Sequence, residues 1–203
     1  MRRFLLSLIA VTFTAGFAAP AQAQIEKYSF DKAHTQILFF VNHLGFSNSH
    51  GEFLDFDGTL TLNRGELAKS GVDVTIQTAS IDMNDEKWDT HMKNEDFFHV
   101  EKFPTMTFKS TDVEVTGENT ANVTGDLTIL ETTRPVVLAV THNKSGKHPM
   151  GEKYQAGFSA TVAIKRSDFG MTYGLPMVGD DIQIRIEVEA VRQELGGEGQ
   201  GNK

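Results

Sequence analysis

The sequence predicts an all-β domain: an antiparallel barrel of about eight strands, with a short helical segment between the third and the fourth. Two observations carry this reading. Apolar and polar residues alternate with a period of two over most of residues 33–191, and turn-forming clusters interrupt the alternation at intervals. A third observation is that only Asp85 to Val100 breaks the pattern, with Trp88, Met92, Phe97 and Phe98 at roughly helical spacing in a charged background.

The elements follow in chain order. Met1 to Ala23 reads as a secretory signal peptide. Arg2 and Arg3 give a positive start, Phe4 to Ala19 is apolar, and Ala21-Gln22-Ala23 supplies a small-x-small cleavage pattern. Ser7, Thr12 and Thr14 interrupt the apolar stretch, which is too short for a comfortable transmembrane helix. The style of the signal is bacterial, so the periplasm is the expected compartment. Strands are predicted at 34–44, 50–62, 71–81, 104–115, 121–130, 134–143, 153–165 and 180–191. Ile37, Phe39 and Val41 alternate with Gln36 and Asn42; the last strand sets Ile182, Ile184, Ile186 and Val188 against Gln183, Arg185, Glu187 and Glu189. Asp57-Gly58, Ser70-Gly71 and Lys144-Ser145-Gly146 are among the turns. Residues 24–195 form one barrel domain, and the glycine-rich tail 196–203 is expected to be disordered.

Strict alternation gives each strand one wet and one dry face, hence antiparallel pairing. Long strands of this kind must close over a shared interior. A barrel does so and removes the edges. A two-sheet sandwich satisfies the same alternation, and the period alone does not choose. Eight strands enclose a space that side chains just fill, or that holds one small ligand.

Composition narrows the function. The chain has 203 residues, 39% hydrophobic and 23% charged, with a net charge of −8. An acidic chain repels phosphate backbones, so no nucleic-acid partner is expected. With no cysteine, a disulfide framework and a cysteine-ligated metal are excluded. The seven histidines show no HExxH and no H-x-x-x-H pair, so neither a metal site nor a cofactor is expected; strand-end and loop histidines bonded to the backbone are the plain reading. His34 and His43, nine apart, fall on opposite faces of one strand unless a bulge intervenes. Asp168-Phe169-Gly170 copies a kinase signature in letters only, without the loops that give it meaning.

Phenylalanine is the stronger signal. Fifteen stand against one tryptophan and three tyrosines, with one cluster between Phe30 and Phe56 and another at Phe97, Phe98, Phe103 and Phe108. A packed core is the plain explanation for most. A tube is the other, and Gly125, Ala156 and Ala160 are small inward positions expected to widen it locally.

Particular stretches resemble a known family. Asp31 to His43, followed by Gly51-Glu52-Phe53, resembles the opening of the YceI-like family. Asp89 to Phe98 with Phe103-Pro104-Thr105-Met106-Thr107-Phe108 is similar to its central motif, Met92 standing where leucine is usual. Gly125 to Ile129 with Arg134 to Leu138, then Gly157-Phe158 and Arg166 to Gly170, resemble its later motifs. The resemblance covers the mature chain in order. It implies a lipocalin-like barrel that binds a polyisoprenoid or related long-chain lipid, secretion to the periplasm, and no catalysis. It carries no secure set of ligand contacts. The candidate lipid-binding residues therefore come from the alternation and the phenylalanine clusters: Ile37, Phe39, Val41, Phe53, Val74, Ile76, Phe98, Met106, Phe108, Leu127, Ile129, Phe158 and Ile184.

Such a site works by apolar burial. A buried methylene contributes about 0.8 kcal/mol, while association costs about 4–15 kcal/mol, so long tails are favoured over small metabolites. The competing reading is a lipid-acting isomerase or hydrolase using histidines and Asp89 around the helical segment. Leu38 and Phe40 lie on the outward parity of the first strand. They predict either a homodimer contact or cover by the helical segment.

Overall fold

The structure is a computed structural model that describes residues 25–194. The signal segment 1–23 and the tail 196–203 lie outside the described residues. The strands are β1 (Ile25–Phe30), β2 (Gln36–His43), β3 (Ser47–Phe53), β4 (Phe56–Asn63), β5 (Gly71–Gln77), β6 (Ile81–Asp82), β7 (Thr105–Val115), β8 (Thr120–Ile129), β9 (Thr132–Lys147), β10 (Tyr154–Lys165) and β11 (Val178–Arg192). Among the described residues one α-helix, α1 (Glu86–Met92), lies between β6 and β7.

All pairings are antiparallel, and they close a ring. On one side of β11, residues 182–187 pair with β2 and residues 190–192 pair with β1. β4 pairs with β1 and β3 with β2; β5 then pairs with β4 and β6 with β3. β1 and β2 are thus one long strand broken once, as are β3 with β4 and β5 with β6. Counted that way, the eleven strands are a closed eight-stranded up-and-down barrel, the lipocalin-like arrangement expected from the sequence, and not a sandwich.

The predicted strands 50–62 and 71–81 therefore run straight through real breaks, and the first strand begins at Ile25 rather than 34. The three breaks, at residues 31–35, 54–55 and 78–80, lie side by side. Leu54 N–H donates to Ser80 O at 3.1 Å, and Gln77 N–H to Asp55 O at 2.9 Å. Lys32 Nζ lies 3.1 Å from the Asp55 carboxylate. Asp31 accepts the Ala33 N–H, a local bond that ends β1. The inward parity changes at each break, from Glu26, Tyr28 and Phe30 to Ile37, Phe39 and Val41, from Phe53 to Phe56, Leu60 and Leu62, and from Val72, Val74 and Ile76 to Ile81. His34 falls in the break and His43 at the end of β2, so their offset carries no facial information.

α1 starts where its chemistry allows. Asp85 accepts the backbone N–H groups of Lys87 and Trp88, and Glu86 and Asp89 occupy the acidic first turn. The barrel end it covers is also shaped by Arg166, which is 5% exposed. Its guanidinium donates to the carbonyls of Gly179 (2.8 Å), Met171 (3.2 Å), Tyr173 (2.8 Å) and Val178 (3.0 Å). One side chain so winds the 170–178 loop, and burial lowers its pKa from the ordinary value.

Gly125 corrects one expectation. A Cβ there would lie 2.7 Å from Lys109 O and closer still to the Phe108 ring. The glycine makes room for the phenylalanine and does not widen the interior. The other correction concerns α1. Its residues Trp88, His91 and Met92 line the interior, while Phe40 rests its ring against His50, at 6.0 Å between centroids. The helix closes an end of the barrel rather than covering the outer strip.

Two substitutions check these points. Arg166→Met should strip four carbonyls of their donor and lower unfolding free energy by about 3 kcal/mol or more in urea titration. Gly125→Ala should cost about 1–3 kcal/mol through the clash with Phe108.

Candidate ligand-binding cavity

The dry faces enclose a cavity of about 590 Å³, within the usual range for small-molecule sites of about 300–1,000 Å³. All thirteen candidate residues line it: Ile37, Phe39, Val41, Phe53, Val74, Ile76, Phe98, Met106, Phe108, Leu127, Ile129, Phe158 and Ile184. They come from every strand of the composite ring except β9, joined by Phe98 from the segment after α1. β9 adds Leu138 and Val140. Ala160 also lines the wall, where its small side chain leaves room.

The two ends differ. At the α1 end the lining is aromatic. Phe53 meets Phe98 at 5.4 Å between centroids, Phe97 meets Tyr173 at 5.4 Å, and Trp88 meets His43 at 5.8 Å. His91 lies 3.0 Å from the Asp96 carboxylate, with the two side chains 41% and 37% exposed. Asp89, the carboxylate of the enzyme reading, instead accepts the Met83 N–H at 2.7 Å and serves the turn before α1.

At the other end, where β1 starts and β11 finishes, the lining includes Arg64, Ser70, Asn119, Thr120 and His142. Arg64 belongs to a polar cluster at the closing seam. Its Nε donates to Glu26 Oε2 at 2.7 Å and its Nη2 to Tyr28 Oη at 3.1 Å. Tyr28 Oη donates to Glu26 Oε2 at 2.8 Å, and Arg192 Nη1 reaches Glu26 Oε1 at 2.7 Å. Burial would raise the Glu26 pKa, but hydrogen bonds from Arg64, Tyr28 and Arg192 outweigh it and the net shift is downward. Burial and the neighbouring Glu26 push the Tyr28 phenol up to about 12. His142 packs on Phe158 at 5.2 Å and bonds Ser145 Oγ at 2.7 Å. Burial, then the positive charge of Arg64, lowers its pKa.

Sequence reasoning placed Phe158 at this end but missed its polar groups. Glu26, Tyr28 and Phe30 alternate with Ile25, Lys27 and Ser29, a signal for β1 that stops short of naming its partners. Arg64 sits in Asn63-Arg64-Gly65, which reads only as a turn. Outside the barrel, Asp31, His34 and Glu189 bring potential ligand atoms within 4.8 Å of one another. His34 Nδ1 lies 3.0 Å from Asp31, and the His34 and Glu189 side chains are exposed.

A family model described as YceI-like domain matches residues 28–190. The chain is 40% identical over 174 residues to a UPF0312 protein of Ectopseudomonas mendocina, covering 85% of this chain and 91% of that one. Its fold is similar to the crystal structure of Burkholderia cenocepacia BcnA, with a TM-score of 0.72, 26% identity, and 79% and 98% of the two chains covered. It is also similar to a polyisoprenoid binding domain from Saccharophagus degradans, at a TM-score of 0.63, with 82% and 98% covered; at 10% identity that likeness concerns the fold.

Two outcomes test the cavity and its seam. Phe108→Asp puts a charge on an apolar wall and should lower unfolding free energy by about 4 kcal/mol or more. Because the folded pKa of Glu26 is depressed, its stabilising contribution is present above the ordinary glutamate value of 4.5 and is lost as pH falls through the folded value. Glu26→Gln should therefore flatten the acid limb of a stability-against-pH curve below about 4.5 and lower stability at neutral pH.

Proposed function

The chain belongs to the YceI-like family, and from that premise we propose that it is a periplasmic carrier holding a polyisoprenoid or similar long-chain lipid inside its barrel, without catalysing a reaction. The observation that carries this is the apolar cavity, whose polar side chains gather at its ends. A methylene moved from water onto such a wall gains about 0.8 kcal/mol, and many are needed to exceed the cost of association. The polyisoprenoid binding named for the Saccharophagus degradans domain is in keeping with that chemistry. Residues 1–23, with their two arginines, apolar run and small-x-small end, support export to the periplasm.

An enzyme reading would rest on His91 and Asp96 at the aromatic end. That pair is open to solvent on both members, which suits a surface contact better than a general base working in a dry site. Leu38 and Phe40 support a second part of the proposal, a homodimer that covers the outer strip around a two-fold axis.

The deciding experiment is mass spectrometry of an organic extract of the purified protein. An intact long-tailed lipid is the expected result; an altered product of an added lipid would overturn the carrier reading. Ala160→Phe, which fills the tube without adding charge, should abolish lipid co-purification while the circular dichroism spectrum stays that of a barrel. Chelation with EDTA should leave both the melting temperature and the bound lipid unchanged.

A further inference from the structure

Charge is distributed unequally between the two ends of the cavity. At the α1 end the Arg166 guanidinium is bonded to four carbonyls, and His91 is paired with Asp96. At the seam end one buried carboxylate, Glu26, faces two guanidiniums, Arg64 and Arg192. Arg192 is further engaged by the Tyr154 ring, 4.3 Å from its Cζ. Arg64 lines the cavity, yet only its Nε and Nη2 have hydrogen-bond partners among the described residues. A guanidinium carries five N–H donors, so donors remain on Nη1 and Nη2. Glu118 is the acidic side chain nearest in kind on the cavity wall, and it makes no ion pair with Arg64 among the described residues. Ser70, Asn119 and Thr120 add hydrogen-bonding groups to the same end of the lining.

We propose that the seam end is a head-group site, where Arg64 holds the oxyanion, a carboxylate or a phosphate ester, of a long-chain lipid whose tail fills the tube. This rests on the lipid-carrier reading and adds to it an orientation and a charge class. The tail points toward the aromatic end, and the head sits at the mouth on Arg64, with Ser70, Asn119 and Thr120 as the neighbouring hydrogen-bonding groups. One third of the Arg64 side chain is exposed, so the head stays partly hydrated. Within the hydrogen-bonded cluster of Glu26, Arg64 and Arg192 the cations outnumber the carboxylates by one, and a carboxylate or phosphate head on Arg64 balances it, with Glu118 of the adjoining turn as the opposing charge.

The test uses the full purified protein, stripped of lipid, in calorimetric titrations with oleate, oleyl phosphate and oleyl alcohol, which share one tail. Oleate and oleyl phosphate should bind about fivefold more tightly than the alcohol, the scale of one charge-assisted hydrogen bond at a partly exposed site. Arg64→Gln should bring that ratio close to one, and Arg64→Lys should restore part of it. Equal affinities for acid and alcohol on the unaltered protein overturn the proposal, as does a preference that survives Arg64→Gln. Binding of none of the three overturns the carrier reading together with it. Inorganic phosphate is the control for a free-anion site: if it alone displaces the alcohol, the head-group assignment falls. Arg64 also braces Glu26, so thermal unfolding accompanies each variant; the comparison on the unaltered protein decides even if Arg64→Gln does not fold.

Discussion

Everything in this molecule follows from the requirement that β11 find partners along both its edges. β10 takes one edge along nearly its whole length. On the other edge β2 and β1 must share it end to end, because neither alone is long enough. That shared pairing closes the ring, and a closed ring has no row of unpaired N–H and C=O groups. It also turns the dry face of each strand toward a shared interior. The neighbouring strands bend at three breaks that lie side by side; backbone bonds join the breaks at 54–55 and 78–80, and the Lys32–Asp55 ion pair ties the first break to them.

Closing the ring leaves an interior whose ends must be made separately. Aromatic side chains from α1 and its following segment serve at one end, where the strands do not reach. At the other end the seam itself supplies the polar groups. Glu26 and Tyr28 come from β1, Arg192 from β11 and Arg64 from the turn after β4, so the cluster joins the elements that have to meet for closure. A buried ion cluster is weak evidence for stability in itself. Here its geometry is better understood as fixing which strands meet, with a guanidinium left facing the cavity as a by-product.

Most of the barrel wall was legible because alternation is a direct readout of a half-dry strand. Ile182, Ile184 and Ile186 could hardly face any other way. Interruption shows only as a change of phase: inward parity passes from Phe53 to Phe56 across Leu54 and Asp55, and from Ile76 to Ile81 across Thr78 to Ser80, a shift that a strand read as continuous passes over. Alternation carries nothing about loops. Arg166 and Arg64 are both single arginines beside turns, and nothing local distinguishes the one that winds a loop from the one that opens on the cavity. Those differences arise from carbonyls and carboxylates contributed by distant residues, and only the folded chain brings them together. Gly125 was misread for a related reason: its small size serves Phe108 on the neighbouring strand, a cross-strand relation that a single strand does not display.

The pairing of β1 with β11 has one more consequence. Tyr28 is opposite Arg192, and the Gln193 N–H donates to Lys27 O at 2.8 Å, so the two ends of the described chain run beside each other at the seam. The barrel is therefore a ring in connectivity as well as in shape. A short linker across the seam, with a new opening at the exposed Leu44-Gly45-Phe46 hairpin tip, would give a circular permutant that keeps every strand pair. Such a permutant would move both chain ends to the aromatic mouth, leaving the Arg64 mouth free of them.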